Sequence, residues 1–111
     1  MKNAADRQAE FLKMLANPVR LKIIDILKNG EKNVNEIHDE LNIQQSATSQ
    51  HLKILTNGDI LTSKKDGLKT YFSIKNQEIY NVLLSINRFL SYKSQENIED
   101  ISNANISGAL L

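Results

Sequence analysis

The sequence of 111 residues has no cysteine, no tryptophan and a single proline. The absence of thiols excludes disulfide bonds, thiolate metal sites and cysteine-based redox sensing. Aromatic residues are scarce, with three Phe and three Tyr, so any core must consist mostly of Ile and Leu. No apolar run reaches the roughly 18 residues of a membrane span, and the N-terminus lacks a signal-peptide apolar region. We therefore expect one small, soluble, cytoplasmic protein with no membrane partner.

A strong net charge is also missing, since the formal sum is only +1. The charges are nevertheless distributed unevenly along the chain. Residues 1–43 carry seven basic and seven acidic side chains, residues 44–75 carry five Lys against two Asp, and residues 76–111 sum to −2. A positive excess confined to the middle of the chain is typical of a nucleic-acid-binding surface. From charge alone, a chance excess of lysines on a solvated loop is the alternative.

Residues 44–55 predict a helix with two unlike faces. At 3.6 residues per turn, Thr48, Leu52 and Leu55 lie on one side, with His51 at the edge. The other side carries hydrogen-bonding side chains and only one charge. Such side chains can bond to base edges and phosphates in a DNA major groove. We therefore predict that this helix binds DNA through Gln45, Ser46, Ser49, Gln50 and Lys53.

The segments before this helix predict three more helices. The first covers residues 3–16, the second runs from Val19 to about Lys28, and the third spans residues 34–41. Asn17 and Pro18 are favourable starting residues for the second helix, and Gly30 can end it in a left-handed conformation. A tight turn at residues 42–43 joins the third and fourth helices, as in a helix-turn-helix.

A β-hairpin is predicted directly after the fourth helix. Two β-rich runs, residues 60–65 and 69–74, flank the turn sequence Asp66-Gly67-Leu68. Lysines lie near the tip of this hairpin on both strands. A basic hairpin after a recognition helix is typical of the wing of a winged helix, and we expect DNA phosphate contacts from Lys64, Lys65 and Lys69.

A fifth helix, residues 77–91, can be capped by Asn76 and carries apolar residues at spacings of three and four. This helix could pack on the core of its own domain. The first and fifth helices each keep an apolar stripe, however, which favours a two-fold dimer. The predicted interface comprises Phe11, Leu12, Ile79, Val82, Leu83, Ile86, Phe89 and Leu90. We expect residues 1–92 to form one DNA-binding and dimerisation domain, and residues 93–111 to form a polar tail, flexible or a frayed helix extension.

Three separated motifs, in order over residues 11–90, resemble the ArsR family of winged-helix repressors. They are residues 15–24 (LANPVRLKII), residues 46–55 (SATSQHLKIL), and Lys64-Lys65-Asp66-Gly67 through Tyr71-Phe72. The resemblance implies a mainly α fold with a small β-hairpin, a winged helix-turn-helix. It also implies a homodimer that binds an inverted-repeat operator in double-stranded DNA and represses transcription. Many such proteins release DNA when a metal or metalloid binds.

The sequence departs from this family at the metal-sensing positions. Asn33 and Asn35 occupy the places of a cysteine pair at the start of the third helix, and asparagine amides are poor ligands for soft ions. A second family site uses carboxylates and histidines on the fifth helix, which here has no His and only Glu78 as an acid. His38 is expected to face solvent, and His51 matches a histidine that supports the recognition helix in the family. We therefore predict no metal site and no cofactor.

Two further departures concern the ends of the recognition helix. Gln44 occupies its N-cap position although Gln is a poor cap, so Ser46 could cap a helix that begins later, or the first turn could be loose. Asp59 stands where relatives often have Gly, so the exit from the helix could differ by one residue.

The main competing function is a winged-helix protein-interaction module that does not bind DNA. Protein interfaces prefer apolar, aromatic-rich centres, so the polar helix face and the lysine-bearing hairpin argue against this module. An enzyme is not indicated, because the chain has no Ser/His/acid grouping and no Gly-rich phosphate loop. Whether the protein responds to a small molecule is left open by the sequence.

Overall fold

A computed structural model describes residues 1–94 and contains five α-helices and three short strands within that range. The predicted tail lies outside the described residues from residue 95 onward. The chain divides into two compact units, the first ending at Lys75 and the second beginning at Asn76. The prediction of one domain over residues 1–92 stays a prediction. The elements are α1 (Ala4–Leu15), α2 (Pro18–Ile26), a 3₁₀ turn (Leu27–Asn29), β1 (Lys32–Asn33), α3 (Val34–Leu41), α4 (Gln45–Asn57), β2 (Leu61–Asp66), β3 (Lys69–Ile74) and α5 (Glu78–Ser94).

Asparagine side chains cap the first three helices. The Asn17 side chain accepts from the amides of Val19 and Arg20 at 2.9 and 3.3 Å, and Pro18 follows at the first helical position, as predicted. Asn3 and Asn33 each form a reciprocal capping box with the acidic residue three positions later. Because each box satisfies two backbone donors at a helix start, the helices begin where the sequence places these asparagines.

The sheet of the first unit has three strands in the order β1-β3-β2, all antiparallel. The predicted hairpin is confirmed as β2 and β3, with Lys65 opposite Thr70 and Asp66 opposite Lys69. The structure adds a third strand that was not predicted, because β1 pairs with β3 through Lys32 opposite Phe72 and Asn33 opposite Tyr71. A strand of two residues leaves no alternation in the sequence, so only its tertiary pairing reveals it.

The left-handed cap predicted at Gly30 is wrong, and the left-handed residue at the end of α4 is Asp59. Gly30 has a φ of 141° and a ψ of 177°, which is an extended conformation open to glycine rather than a left-handed helical cap. At the end of α4, Gly58 has an ordinary φ of −87°, and Asp59 takes the left-handed conformation with a φ of 62°. The exit of α4 therefore uses Asp59 at the position where a glycine is usual.

The core of the first unit is aliphatic, as the shortage of aromatic residues predicts. α2 contributes Ile23 and Ile24, which are completely buried, so this helix is central in the core. The inward side of α4 and the start of β2 complete this core. Its buried apolar residues are Leu15, Ile23, Ile24, Leu27, Ile37, Leu52, Leu55, Ile60, Leu61 and Ile74.

α5 belongs to the second unit. Asn76 caps it as predicted, because its side chain accepts from the Glu78 amide at 2.9 Å. Ile79 and Leu83 are buried, whereas Val82, Ile86, Phe89 and Leu90 are exposed. No helix within residues 1–94 combines the length and the apolar character that crossing a membrane requires.

Candidate nucleic-acid interface

The turn between α3 and α4 is made by a left-handed asparagine. Asn42 has a φ of 56° and a ψ of 44°, and its amide donates to the His38 carbonyl at 2.8 Å. Ile43 follows and is half-buried. Only three residues separate the helices, so α3 and α4 form the predicted helix-turn-helix.

α4 has the two faces that its sequence predicts. Thr48, Leu52 and Leu55 are buried, at 1% exposure or less. Thr48 is satisfied in this position because its hydroxyl donates to the Gln44 carbonyl at 3.1 Å. The five candidate DNA-binding residues of this helix are exposed together on its other side: Gln45, Ser46, Ser49, Gln50 and Lys53.

The first turn of α4 has a weak start. Gln44 is the N-cap residue, and its side chain makes no capping hydrogen bond. Ser46 lies inside the helix, so the alternative in which Ser46 caps a later start is wrong. The first amides of a helix have no partner within the helix, and here no side chain replaces one. These amides are therefore available to a ligand such as a phosphate or to water.

The wing carries its three candidate lysines on two faces. Gly67 has a φ of 66° at the first central position of the two-residue turn, which suits primed hairpin turns. Residues directly opposite in an antiparallel pair share a face, and successive residues alternate between faces. The register therefore places Lys64 and Lys69 on one face and Lys65 on the other. Lys64 also lies 3.4 Å from a Glu31 carboxylate oxygen.

The recognition helix and the wing border one cleft. A cavity of about 210 Å³ lies between the first residues of α3, the start of α4 and the tip of the wing. Gln45 from α4 and Lys69 from the wing both line it. Residues predicted from two distant motifs are thus neighbours in space. The remaining lining residues are Asn33, Val34, Asn35, Leu68 and Thr70.

Asn33 has a structural role that the sequence analysis missed. Its side chain accepts from the Glu36 amide and its own amide donates to the Glu36 carboxylate, both at 2.9 Å. The residue is 7% exposed and also belongs to β1. The signal was present, because an Asn followed three residues later by Glu before an apolar run is a capping-box pattern. Asn33 therefore caps α3 and is at the same time a residue of β1.

The two histidines lie in different surroundings. The Nδ1 atom of His38 lies 3.6 Å from a carboxylate oxygen of Asp39, and the His38 side chain is only partly exposed. The Nδ1 atom of His51 accepts from the Nε–H of Arg20 at 3.2 Å. Burial and, to a lesser degree, the adjacent Arg20 guanidinium lower the pKa of His51 below its usual 6.5. Among residues 1–94, no three His, Asp or Glu side chains come together as a potential metal site.

The model of a family described as "bacterial regulatory protein, arsR family" matches residues 17–63, from the start of α2 into β2. The transcriptional repressor PagR of Bacillus anthracis is 38% identical over 80 residues, which are 71% of this chain and 80% of PagR. The chain belongs to the ArsR family. The transcriptional repressor SdpR of Bacillus subtilis is another relative in that family, 30% identical over 72% of this chain and 86% of SdpR.

Among solved structures, the ArsR-family chain is similar in fold to a homodimeric winged helix-turn-helix DNA-binding domain from Mycobacterium bovis. The TM-score is 0.67, with 24% identity over 85% of this chain and 83% of that chain. The winged helix-turn-helix prediction is thereby confirmed. As an ArsR-family member, the protein is a DNA-binding transcription regulator and not an enzyme, as predicted.

Proposed function

We propose that this ArsR-family protein represses transcription by binding an inverted-repeat operator as a homodimer. The observation that carries the proposal is the exposed polar row of α4 beside a wing lysine in one cleft. Relatives named as repressors, PagR and SdpR, support repression. Its site of action would be the cytoplasm, where bacterial DNA lies.

In the proposed complex, α4 enters the major groove and its polar side chains contact base edges. Gln45 and Gln50 can each make a bidentate hydrogen bond to adenine, and Ser46 and Ser49 can bond to several bases. Lys53 and the wing lysines Lys64, Lys65 and Lys69 would contact phosphates and fix the register of the protein on the duplex. The uncapped first turn of α4 would be completed by such contacts.

The proposed dimer is formed through apolar residues of α1 and α5 against a second copy. Leu12 on α1 is 53% exposed, and Phe89 on α5 is 66% exposed. Val82, Ile86 and Leu90 extend the exposed stripe of α5 at helical spacing, while Ile79, Leu83 and the half-buried Phe11 have less free surface to contribute. The homodimeric state of the Mycobacterium bovis domain supports a homodimer.

We propose that no metal ion regulates the DNA binding of this protein. The Asn33 side chain is engaged in the cap of α3, so it is not available as a ligand. Asn35 is exposed, but an amide oxygen is a weak ligand for the soft ions that thiolates bind. The DNA affinity of this protein should therefore be indifferent to zinc, cadmium and arsenite.

Selection of bound fragments from random double-stranded DNA tests the proposal. The full chain should enrich a pseudo-palindromic sequence, and the enrichment should be equal with and without added zinc. A transcription assay on the enriched sequence should show repression when the protein is added. Failure to enrich any sequence would favour a protein-interaction role, and release of DNA by zinc would contradict metal independence.

A further inference from the structure

Arg20 connects the last turn of α1 to the middle of the recognition helix. Its Nη1 donates to the carbonyls of Lys13 and Met14 at 3.3 and 3.2 Å. Carbonyls in the last turn of a helix have no donor partner inside the helix, and a cation there also interacts favourably with the helix dipole. The Nε–H of the same guanidinium donates to His51. One planar, five-donor group therefore binds α1 and α4 together.

A second contact between α1 and α4 lies at the end of the recognition helix. The Met14 side chain occupies the space where a side chain at Gly58 would begin. Gly58 is the C-cap of α4 and has an ordinary negative φ. Its lack of a side chain therefore serves the close approach of α1 rather than a special backbone conformation. α1 is consequently linked to α4 at two separated points, by the Arg20 side chain of α2, which bridges the end of α1 to His51, and by the contact of Met14 with Gly58.

We infer that Arg20 is a positioning residue for operator recognition, because it sets the angle between α1 and the DNA-reading helix α4. In a homodimer joined partly through α1, this angle determines how far apart the two copies of α4 lie. The inference rests on the proposed dimer and operator. It goes beyond the proposed function because it makes Arg20, a residue that need not touch DNA, responsible for the spacing between half-sites that the dimer prefers.

The link requires a neutral His51. The donor is the Nε–H of Arg20, so Nδ1 of His51 must carry a lone pair and the ring proton must be on Nε2. A proton on Nδ1 would remove the acceptor and place two cations side by side. Three charged residues lie on the elements around His51. Arg20 on α2 bonds to it directly. Lys13 on α1 and Lys53 on α4 have exposed side chains. The lowered pKa of His51 keeps the ring neutral to lower pH than usual.

The test compares binding to a full operator and to a duplex with one half-site. Arg20→Gln and His51→Phe should each weaken binding to the full operator roughly tenfold while changing binding to the single half-site little. Both variants should also lose the preference of the wild type for one spacer length. The double variant should be no weaker than either single variant, because both changes break one link. His51→Asn supplies an amide oxygen near the position of Nδ1 and should retain wild-type spacing preference.

If Arg20 has a purely structural role, Arg20→Gln should lower binding to both duplexes together, and that result would overturn the inference. An unchanged spacer preference in Arg20→Gln would also overturn it. Far-ultraviolet circular dichroism and sedimentation identify variants that are folded dimers, and if Arg20→Gln does not fold, His51→Phe carries the test. When the pH is lowered from about 7.5 to well below 6.5, the wild type should lose its spacer preference while His51→Asn keeps it, because the lowered pKa of His51 moves protonation of the ring to lower pH. A parallel loss in both would also contradict the inference. If the wild type binds no DNA, the proposed function fails instead.

Discussion

At the level of single residues, the turn between α3 and α4 depends on the left-handed backbone conformation of Asn42. Left-handed helical values of φ and ψ are unfavourable for residues with a Cβ, and asparagine tolerates them better than most because its short amide can hydrogen-bond locally. The conformation turns the chain between α3 and α4 within three residues. The angle between the two helices of the DNA-binding motif is therefore sensitive to the residue at this position.

Replacement of Asn42 should test this dependence. Asn42→Ala should lower the free energy of unfolding by about 1 kcal/mol, because alanine adopts the left-handed region at a cost. Asn42→Gly should be as stable as the wild type or slightly more stable. Urea unfolding followed by circular dichroism measures both. Equal stability of the alanine variant would mean that the turn relaxes into another conformation.

Gln45 is the residue for which a base-reading role is most sharply testable. It is exposed, lies in the first turn of α4 and lines the cleft shared with the wing. Gln45→Ala should reduce discrimination between the operator and a single-base variant by about 1–3 kcal/mol, with the salt dependence unchanged. Gln77→Ala, before α5, is the matched control. Retention of full discrimination by Gln45→Ala would remove it from the base-reading set.

Sequence reasoning succeeded for residues whose position follows from helical periodicity. The buried positions Thr48, Leu52 and Leu55 and the exposed positions around them repeat every 3.6 residues, so one window of sequence separates them. It failed for Arg20 and Met14, whose partners lie on other elements. Their contacts with His51 and Gly58 depend on how α2 and α1, respectively, pack on α4, and no local pattern encodes that packing.

At the level of elements, the wing is a charged ribbon whose lysines point in two directions. Opposite residues share a face, so Lys64 and Lys69 contribute to one side and Lys65 to the other. A wing lying flat on DNA would use one side only. A wing inserted edge-on into a minor groove would bring cations of both sides near phosphates. Separate substitutions at these positions distinguish the two geometries.

Removal of wing lysines should weaken binding to all DNA sequences alike. Lys64→Ala/Lys65→Ala should give a shallower plot of log affinity against log salt concentration, by about 0.9 for each phosphate that the protein no longer neutralises. Lys22→Ala, an exposed lysine on α2, is the charge control. Binding isotherms at several salt concentrations measure the slopes. An unchanged slope in the double variant would show that these lysines do not contact DNA.

The exposed stripe of α5 should be necessary for dimerisation. Val82→Glu/Ile86→Glu should convert the protein to a monomer, because unpaired carboxylates would be buried in the proposed interface. Leu84→Glu is a matched control, since Leu84 is also exposed on α5 but lies on another side of the helix. Analytical ultracentrifugation distinguishes the two states. A dimeric double variant would place the interface elsewhere.

Most helices and strands could be predicted because each has a local sequence signal, and β1 is the exception. The Asp66-Gly67 turn indicated the hairpin in advance, and Asn17 and Asn76 indicated two helix starts. β1 consists of two residues and gains its identity from pairing with β3. A strand that short has no period to detect, so its existence depends on the completed fold.

At the level of the whole molecule, the proposed two-fold symmetry would constrain the DNA. A symmetric dimer presents two copies of α4, so the operator should contain two related half-sites in inverted orientation. Hydroxyl-radical footprinting should show protected half-sites with centres about 10 base pairs apart, or a multiple of that distance, on one side of the duplex. A single continuous half-site footprint at saturation would contradict dimeric binding.

The pairing of β1 with β3 also affects the order in which the first unit can assemble. The hairpin closes through the two-residue turn Gly67-Leu68, whereas β1 and β3 join residues about 40 positions apart, and longer loops lose more entropy on closure. Between these two strands lie α3, α4 and β2, that is, the whole helix-turn-helix and half of the wing. During synthesis from the N-terminus, Lys32 and Asn33 have no strand to pair with until Tyr71 and Phe72 have emerged from the ribosome. The sheet that ties the wing to α3 is therefore completed only after α4 and both strands of the wing have been made.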